Sequence, residues 1–354
     1  MLVHGANGLL AQGIAVDFFL GATSRPFVDG LHHGIRVFNL PPSSLRARLA
    51  ALAAYLRHEP PAIVLSAKLA DDRLAIAALE ASGAPSRVVC RVGNPLFARN
   101  RLRSSWYWQR QRRAAAIKRL YRSVHGLIAV APGLARELRD ELGDAVPIVT
   151  LPNPTIGPAL AGWQPGAPPH PWLHQRHIPV VMGIGGLRQQ KDFATLLRAF
   201  ALLRRERQAR LIILGEGRQR RRLEALARRL GIAGDVLLPG FVEPLYDWLG
   251  HAALFVLSSR WEGSPNALIE ALALGCPVVA TCCPGGVMDI LQQGQIGSLV
   301  PVGDAQAMAG AMAAALRQPA DAALGKRAVA PFTVAHSASA YSRALGLLPR
   351  PAYR

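Results

Sequence analysis

From Ile178 onward, apolar runs without polar alternation recur with amphipathic helical stretches between them, and this rhythm leaves few folds open. The runs are Pro179 to Ile184, Ala209 to Leu214, Val236 to Gly240, Ala253 to Ser258, Pro277 to Thr281 and Ser298 to Val302. The helical stretches are Phe193 to Arg205, Arg218 to Leu230, Pro265 to Leu274, a short one near Val287 to Gln292, and Ala305 to Leu316. Strands without polar alternation are buried on both faces, so these segments predict a parallel sheet with helices on each side, a doubly wound α/β domain.

The first half carries a weaker version: strands at Val16 to Leu20, Ile35 to Asn39, Ala62 to Ser66, Arg87 to Val92, Leu127 to Val130 and Pro147 to Leu151, with helices around Ser44 to Arg57 and Arg73 to Glu80. At 354 residues, 51% of them hydrophobic, two packed domains are expected. The expected boundaries are 1–155, a Pro-rich linker over 156–178, 179–335, and a C-terminal tail over 336–354.

Four cysteines without CxxC spacing suggest neither a disulfide framework nor a zinc knuckle. The opening Met1 to Val16 lacks a basic start and is broken by glycines and polar residues, and no apolar run reaches spanning length, so a cytoplasmic chain is expected, with any contact to the inner face of the plasma membrane peripheral. Lys plus Arg outnumber Asp plus Glu by 41 to 22, a formal charge of +19. That excess reads either as arginine dispersed over solvated faces or as attraction to polyanions or acidic lipid. It is densest over residues 99–122, where Arg101, Arg103, Arg110, Arg112, Arg113, Lys118 and Arg119 surround Trp106, Tyr107 and Trp108 without an acidic residue. Tyr107, Ala114, Ile117, Tyr121 and Val124 fall at helical spacing. The segment is either a core-packed helix with a solvated cationic face or a docking surface for an anionic membrane; nucleic acid is not expected as a partner.

The densest chemistry follows the run ending at Ser258: Trp261-Glu262-Gly263-Ser264-Pro265-Asn266-Ala267-Leu268-Ile269-Glu270. Ser264 suits an N-cap and Pro265 a first helical position, so a helix is expected to start here with its free N–H groups at the carboxyl edge of the sheet, where ligands of open α/β sheets sit and where phosphate is favoured. Glu262 precedes that start and Glu270 lies about 8 Å further along the helix, too far to share one proton. Carboxylates accept well from sugar hydroxyls, and an acid within the apolar stretch Ala267 to Leu274 needs a partner. Gly183-Ile184-Gly185-Gly186 ends the first run of this half, followed by Arg188, Lys191 and Asp192, the last a candidate N-cap. Glycines admit a ligand close to the backbone, and the cations beside them suit a leaving diphosphate. Without GxGxxG spacing, and with Gly215-Glu216-Gly217 forming a turn, a dinucleotide site is disfavoured.

Gly186-Leu187 with Lys191-Asp192-Phe193, Leu214 to Gly217, Leu238 to Val242, Glu262 and Glu270 eight apart, and Gly275 to Thr281 occur in order, and together they resemble retaining glycosyltransferases of family 4 in the GT-B group. The resemblance covers Pro179 to about Leu316 closely and Val16 to Pro154 loosely. It implies two Rossmann-like domains facing across a cleft, the donor held by the C-terminal one and the acceptor mostly by the N-terminal one, with no metal and no cofactor beyond the donor. It implies that Glu270 binds the ribose hydroxyls, that Glu262 with Gly263, Ser264, Asn266, Ala267 and Leu268 holds donor sugar and phosphate, and that Lys191 faces the diphosphate. Gly215, Glu216, Gly217 and Phe241 would line the base pocket, beside Gly185 and Gly186. A UDP-sugar is the expected donor and a saccharide, lipid-linked or envelope polysaccharide the expected acceptor. Retention would proceed by front-face displacement, without a protein nucleophile.

Two departures stand out. Gly186 occupies the place of an arginine that contacts the diphosphate, with Arg188 as its candidate substitute. Leu2 to Gly13 resembles the family's first helix, so the N-terminal domain is expected to lack its central first strand and glycine loop, through a start placed too far in or through decay of the copy. A non-catalytic sugar-nucleotide or membrane-binding relative, and another Rossmann enzyme such as a nicotinamide oxidoreductase or a two-glutamate hydrolase, are the competing readings.

Overall fold

The computed structural model describes residues 1–21, 28–42, 44–103, 106–175 and 177–347, the side chains of 102 and 103 excepted. Two compact units divide the described residues: those of 1–155 with 332–347, and those of 156–331.

In the first unit the elements are α1 (Leu2–Leu10), β1 (Asp17–Leu20), β2 (Arg36–Asn39), α2 (Leu45–His58), β3 (Ile63–Ser66), α3 (Leu69–Ser82), β4 (Arg87–Val92), α4 (Leu96–Arg103), α5 (Tyr107–Tyr121), β5 (Gly126–Ala129), α6 (Pro132–Leu142) and β6 (Ile148–Thr150). All its strand pairs are parallel, but they form two sheets, β1-β2 and β3-β4-β5-β6. Among the described residues β1 and β3 each pair on one edge only. Helix α2 serves both sheets, since Leu52, Ala53 and Leu56 pack with Phe19 of β1 and Val64 of β3.

The second unit contains α7 (Pro158–Ala161), α8 (Pro171–His174), β7 (Val180–Ile184), α9 (Phe193–Glu206), β8 (Arg210–Leu214), α10 (Arg220–Arg229), β9 (Val236–Gly240), α11 (Leu245–Leu249), β10 (Leu254–Leu257), α12 (Asn266–Ala273), β11 (Val278–Thr281), α13 (Val287–Ile290), β12 (Ser298–Val300), α14 (Ala305–Arg317) and α15 (Ala322–Val329). Its strands form one parallel sheet in the order β12-β11-β10-β7-β8-β9. The order reverses between β7 and β10, which makes their carboxyl ends the switch point where doubly wound sheets bind ligands. The core explains the unbroken apolar runs: Val181, Leu211, Ile213, Val256 and Val279 pack under α9 and α14 and are almost without exposure.

Two expected boundaries are corrected. Residues 156–178 are not a free linker, for they form α7 and α8 and pack within the second unit, with the Trp163 indole N–H donating to Asp247 at 2.8 Å. Residues 336–347 are not a tail: α16 (Val334–Leu345) returns to the first unit and crosses α1. A Cβ on Gly8 would stand 2.9 Å from that of Ala338, so the crossing needs a glycine. Tyr341 and Leu345 complete a cluster with Val89, Ile128 and Leu151. Residues 348–354 of the expected tail lie outside the described residues, as do residues 104–105 and the Arg103 side chain of the basic segment.

Within that segment α4 and α5 replace one continuous helix. Ile117, Tyr121 and Val124 are buried as the spacing requires, whereas Tyr107 is 62% exposed and Trp106 and Trp108 still more so. The apolar stripe therefore covers only the second half of α5. No helix of the described residues is long and apolar enough to cross a membrane.

Candidate active site

At the switch point of the second unit the loops after β7 and β10 meet. Lys191 Nζ donates to Glu262 Oε1 at 2.6 Å, and Ser259 Oγ donates to the same oxygen at 2.6 Å. Glu262 is 5% exposed, so its charge is sustained by these two donors. Its other oxygen, Oε2, has no partner among the described residues. Below it, Thr281 Oγ1 donates to the Ser259 carbonyl at 2.6 Å, which ties the end of β11 to the loop after β10. The Ser258 hydroxyl donates to the Lys191 carbonyl at 2.7 Å, and Gln190 Nε2 donates to the Trp261 carbonyl at 3.1 Å.

Close backbone contact explains the glycines. At Gly285, with φ 124°, a Cβ would lie 1.7 Å from the Glu262 carbonyl oxygen; at Gly215, with φ 132°, it would lie 2.3 Å from that of Gly185. Neither position admits another residue without moving the loop that holds Glu262 or Lys191. A Cβ on Gly185 would meet the Lys191 stem at 2.6 Å, so this glycine lets the lysine lie flat across the end of β7. Gly217 approaches the backbone of Leu187 in the same way.

Glu270 sits inside α12, partly buried, and burial pushes its carboxyl up to about 7 against the opposing pull of Lys191. Tyr246, on α11, feels the same region: burial and then the charge of Glu270 push its hydroxyl up to about 12. Tyr246 was not singled out by its sequence, because a tyrosine on a short helix carries no spacing signal. Ser259 and Thr281 were given no site role either, because a hydroxyl at or just past the end of a strand carries no spacing signal.

Several expectations change in detail. Ser264 does not cap α12; Pro265 takes that position, and the carbonyl of Pro265 accepts from Leu268 and Ile269 at 3.1 and 3.2 Å, so the helix starts one residue later than the Ser-Pro pair implies. The Ser264 hydroxyl is buried without a hydrogen-bond partner among the described residues. Leu268 is fully buried and its N–H is spent on Pro265, so it offers nothing to a ligand, whereas the N–H of Ala267 has no partner among the described residues. Asp192 holds the N-cap position of α9 in a left-handed conformation, and its carboxylate accepts from the Thr195 hydroxyl at 3.0 Å rather than from a backbone N–H. Glu216 supplies its carbonyl to the Leu187 N–H at 2.9 Å, while Arg220 occupies its carboxylate. Phe241 is 67% exposed beyond β9. Arg188 is exposed, yet a Cβ on Gly186 would stand 3.3 Å from its Nε, so its guanidinium stem lies over Gly186. Asn266 and Gly263 lie at the start of α12 and in the loop before it, the latter accepting from Gly286 N–H at 2.8 Å.

Comparison with known proteins places this arrangement. Residues 178–318 match the model of glycosyl transferases group 1, and residues 2–154 match the glycosyl transferase 4-like domain. The chain belongs to the family-4 type glycosyltransferases of the GT-B group. Among curated relatives, a Campylobacter jejuni N-acetylgalactosamine-N,N'-diacetylbacillosaminyl-diphospho-undecaprenol 4-alpha-N-acetylgalactosaminyltransferase is 35% identical over 128 residues, 36% of this chain and 34% of that protein. The lipopolysaccharide core biosynthesis glycosyltransferase LpsE of Rhizobium meliloti is 36% identical over 134 residues, 38% of each chain. The matched region thus spans about a third of the length of these relatives. Among solved structures, sucrose-phosphate synthase of Thermosynechococcus elongatus superposes with a TM-score of 0.77 at 21% identity, covering 97% of this chain and 89% of that one. Anabaena HepE, solved in complex with UDP, gives 0.77 at 19% identity, covering 98% and 96%. These similarities confirm the GT-B fold of the family.

Proposed function

We propose that the chain transfers a hexosyl group from a nucleoside-diphosphate sugar, a UDP-sugar first among candidates, to a hydroxyl of a saccharide or lipid-linked acceptor of envelope polysaccharide synthesis, with retention at the anomeric carbon. The observation that carries the proposal is the ion pair of part-buried Lys191 with buried Glu262 at the switch point. Lys191 has three donor protons and Glu262 takes one, which leaves cationic capacity for a diphosphate; Glu262 Oε2 and the N–H of Ala267 are open to sugar hydroxyls and phosphate. Glu270 accepts from the ribose hydroxyls and exposed Phe241 offers a face to the base.

In this reading the bond between the anomeric carbon and the diphosphate oxygen breaks while a bond to the acceptor oxygen forms on the same face. The acceptor's proton passes to the departing phosphate oxygen. No protein nucleophile and no metal take part, because Lys191, aided by Arg188, meets the charge that grows on the leaving group. The exposed Trp106, Tyr107 and Trp108 with their neighbouring arginines would hold the protein on an anionic membrane surface. A UDP-sugar offered with a hydroxyl acceptor should yield a product of the donor's own anomeric configuration by NMR, and Lys191→Ala should abolish it; inverted product, or free sugar alone, overturns the proposal.

Gly186 favours a second reading, a relative that binds the sugar nucleotide without turning it over, because it removes a side-chain cation from the leaving-group site. Tight nucleotide-sugar binding with no transfer to any acceptor would select it.

A further inference from the structure

The first unit holds a cavity of about 750 Å³ at the carboxyl ends of β3 and β4. Six cations line it: Lys68, Arg73, Arg91, Arg99, Arg112 and Arg113. One carboxylate, that of Asp72, faces them, and both of its oxygens are engaged inward by the hydroxyls of Ser66 at 2.6 Å and Tyr121 at 2.9 Å. Lys68, Arg73, Arg112 and Arg113 are in no ion pair among the described residues. Arg91 is buried, donates from Nη2 to Asn153 Oδ1 at 2.5 Å, and keeps a buried Nε without a hydrogen-bond partner among the described residues. The starts of α3 and α4 also open on this space, through Lys68 and Leu69 and through Asn94 and Leu96, and no side chain caps α3. Asp71, in the first turn of α3, is exposed and does not line the cavity.

So many like charges around one concavity repel one another and gain nothing from each other; an oxyanion of high charge relieves them all. Guanidinium groups match phosphate oxygens in paired hydrogen bonds, and a single carboxylate would satisfy only one or two of them. The volume is that of a whole small-molecule site, larger than a diphosphate alone requires.

We infer that this cavity binds the phosphate or diphosphate group of the acceptor, so that the hydroxyl to be glycosylated belongs to a glycosyl phosphate or diphosphate. Calling the ligand an acceptor rests on the proposed transfer reaction; anion binding by the cavity does not. The phosphate comes either from a lipid carrier or from a soluble phosphorylated saccharide.

The test titrates inorganic pyrophosphate and farnesyl diphosphate into the full chain at physiological ionic strength with UDP present at saturation, in the wild type and in the Arg112→Gln, Arg113→Gln double variant. Both arginines are exposed and unpaired, so the variant should unfold at the wild-type midpoint. Loss of two charged donors should weaken both ligands by roughly tenfold or more, with UDP affinity unchanged. Equal affinity for the two ligands assigns the soluble source, and a marked gain with the prenyl chain assigns the lipid; either supports the inference. Undetectable binding, or equal binding by wild type and variant, overturns it. UDP titrated alone separates the two readings: if UDP fails to bind while pyrophosphate binding still depends on the arginines, the donor site is wrong and the anion cavity stands.

Discussion

Replacing Glu270 by Gln should stabilise the protein in a manner that depends on pH. The carboxyl is raised from 4.5 to about 7 by burial, so its ionised form is disfavoured in the folded state by about 3 kcal/mol. The direction follows from proton counting. Between pH 4.5 and 7 the folded protein holds a proton on Glu270 that the unfolded chain has released, so stability falls as pH rises through this window and the whole penalty is present above 7. Below 4.5 both states are protonated and there is none. Gln carries no titration, and its fixed effects on packing are the same at every pH. The difference in unfolding free energy between Glu270→Gln and wild type should therefore grow by about 3 kcal/mol from pH 4 to pH 8. Denaturant titrations followed by tryptophan emission suit the measurement, since Trp163, Trp172, Trp248 and Trp261 all lie in the second unit. A difference that stays constant over that range would refute the burial of Glu270 within α12.

Gly285→Ala should weaken donor binding by about a hundredfold or more, because its Cβ would stand 1.7 Å from the Glu262 carbonyl oxygen and displace the carboxylate from Lys191; calorimetry with a UDP-sugar checks it. Gly186→Arg should leave the fold intact, since its Cβ meets only the flexible Arg188 side chain at 3.3 Å, and should raise turnover by roughly tenfold through added charge at the leaving group; initial-rate kinetics decide. Trp106→Ala with Trp108→Ala should reduce binding to vesicles containing phosphatidylglycerol by about tenfold, measured by flotation, and wild-type protein that ignores such vesicles at low salt would remove the membrane-docking role.

Much of the second unit was legible because its strands are buried on both faces. Runs such as Pro179 to Ile184 have no polar position to confuse their period, and the structure places β7 at Val180–Ile184. That Lys191 and Glu262 approach one sheet edge was expected from a glycine turn and a helix start there; their direct ion pair was not. What stayed hidden depended on contacts between distant segments. The Pro-rich stretch 156–178 reads as a linker until Trp163 is seen against Asp247, and 336–347 reads as a tail until Ser337 donates to the Pro152 carbonyl at 2.7 Å. Ser264 carries the composition of an N-cap, but the carbonyl of Pro265 holds the first turn instead. The cationic cavity was divided in the sequence among Lys68, Arg91 and Arg112, which the parallel pairing of β3 with β4 and the packing of α5 through Ile117 and Tyr121 bring together.

Calorimetric titration of a UDP-sugar into wild type and Glu270→Ala tests the donor site most directly. Wild type should bind and Glu270→Ala should lose about a hundredfold or more in affinity, with its circular dichroism unchanged. Equal affinity in the two proteins would contradict the assignment of the donor to the switch point of the second unit.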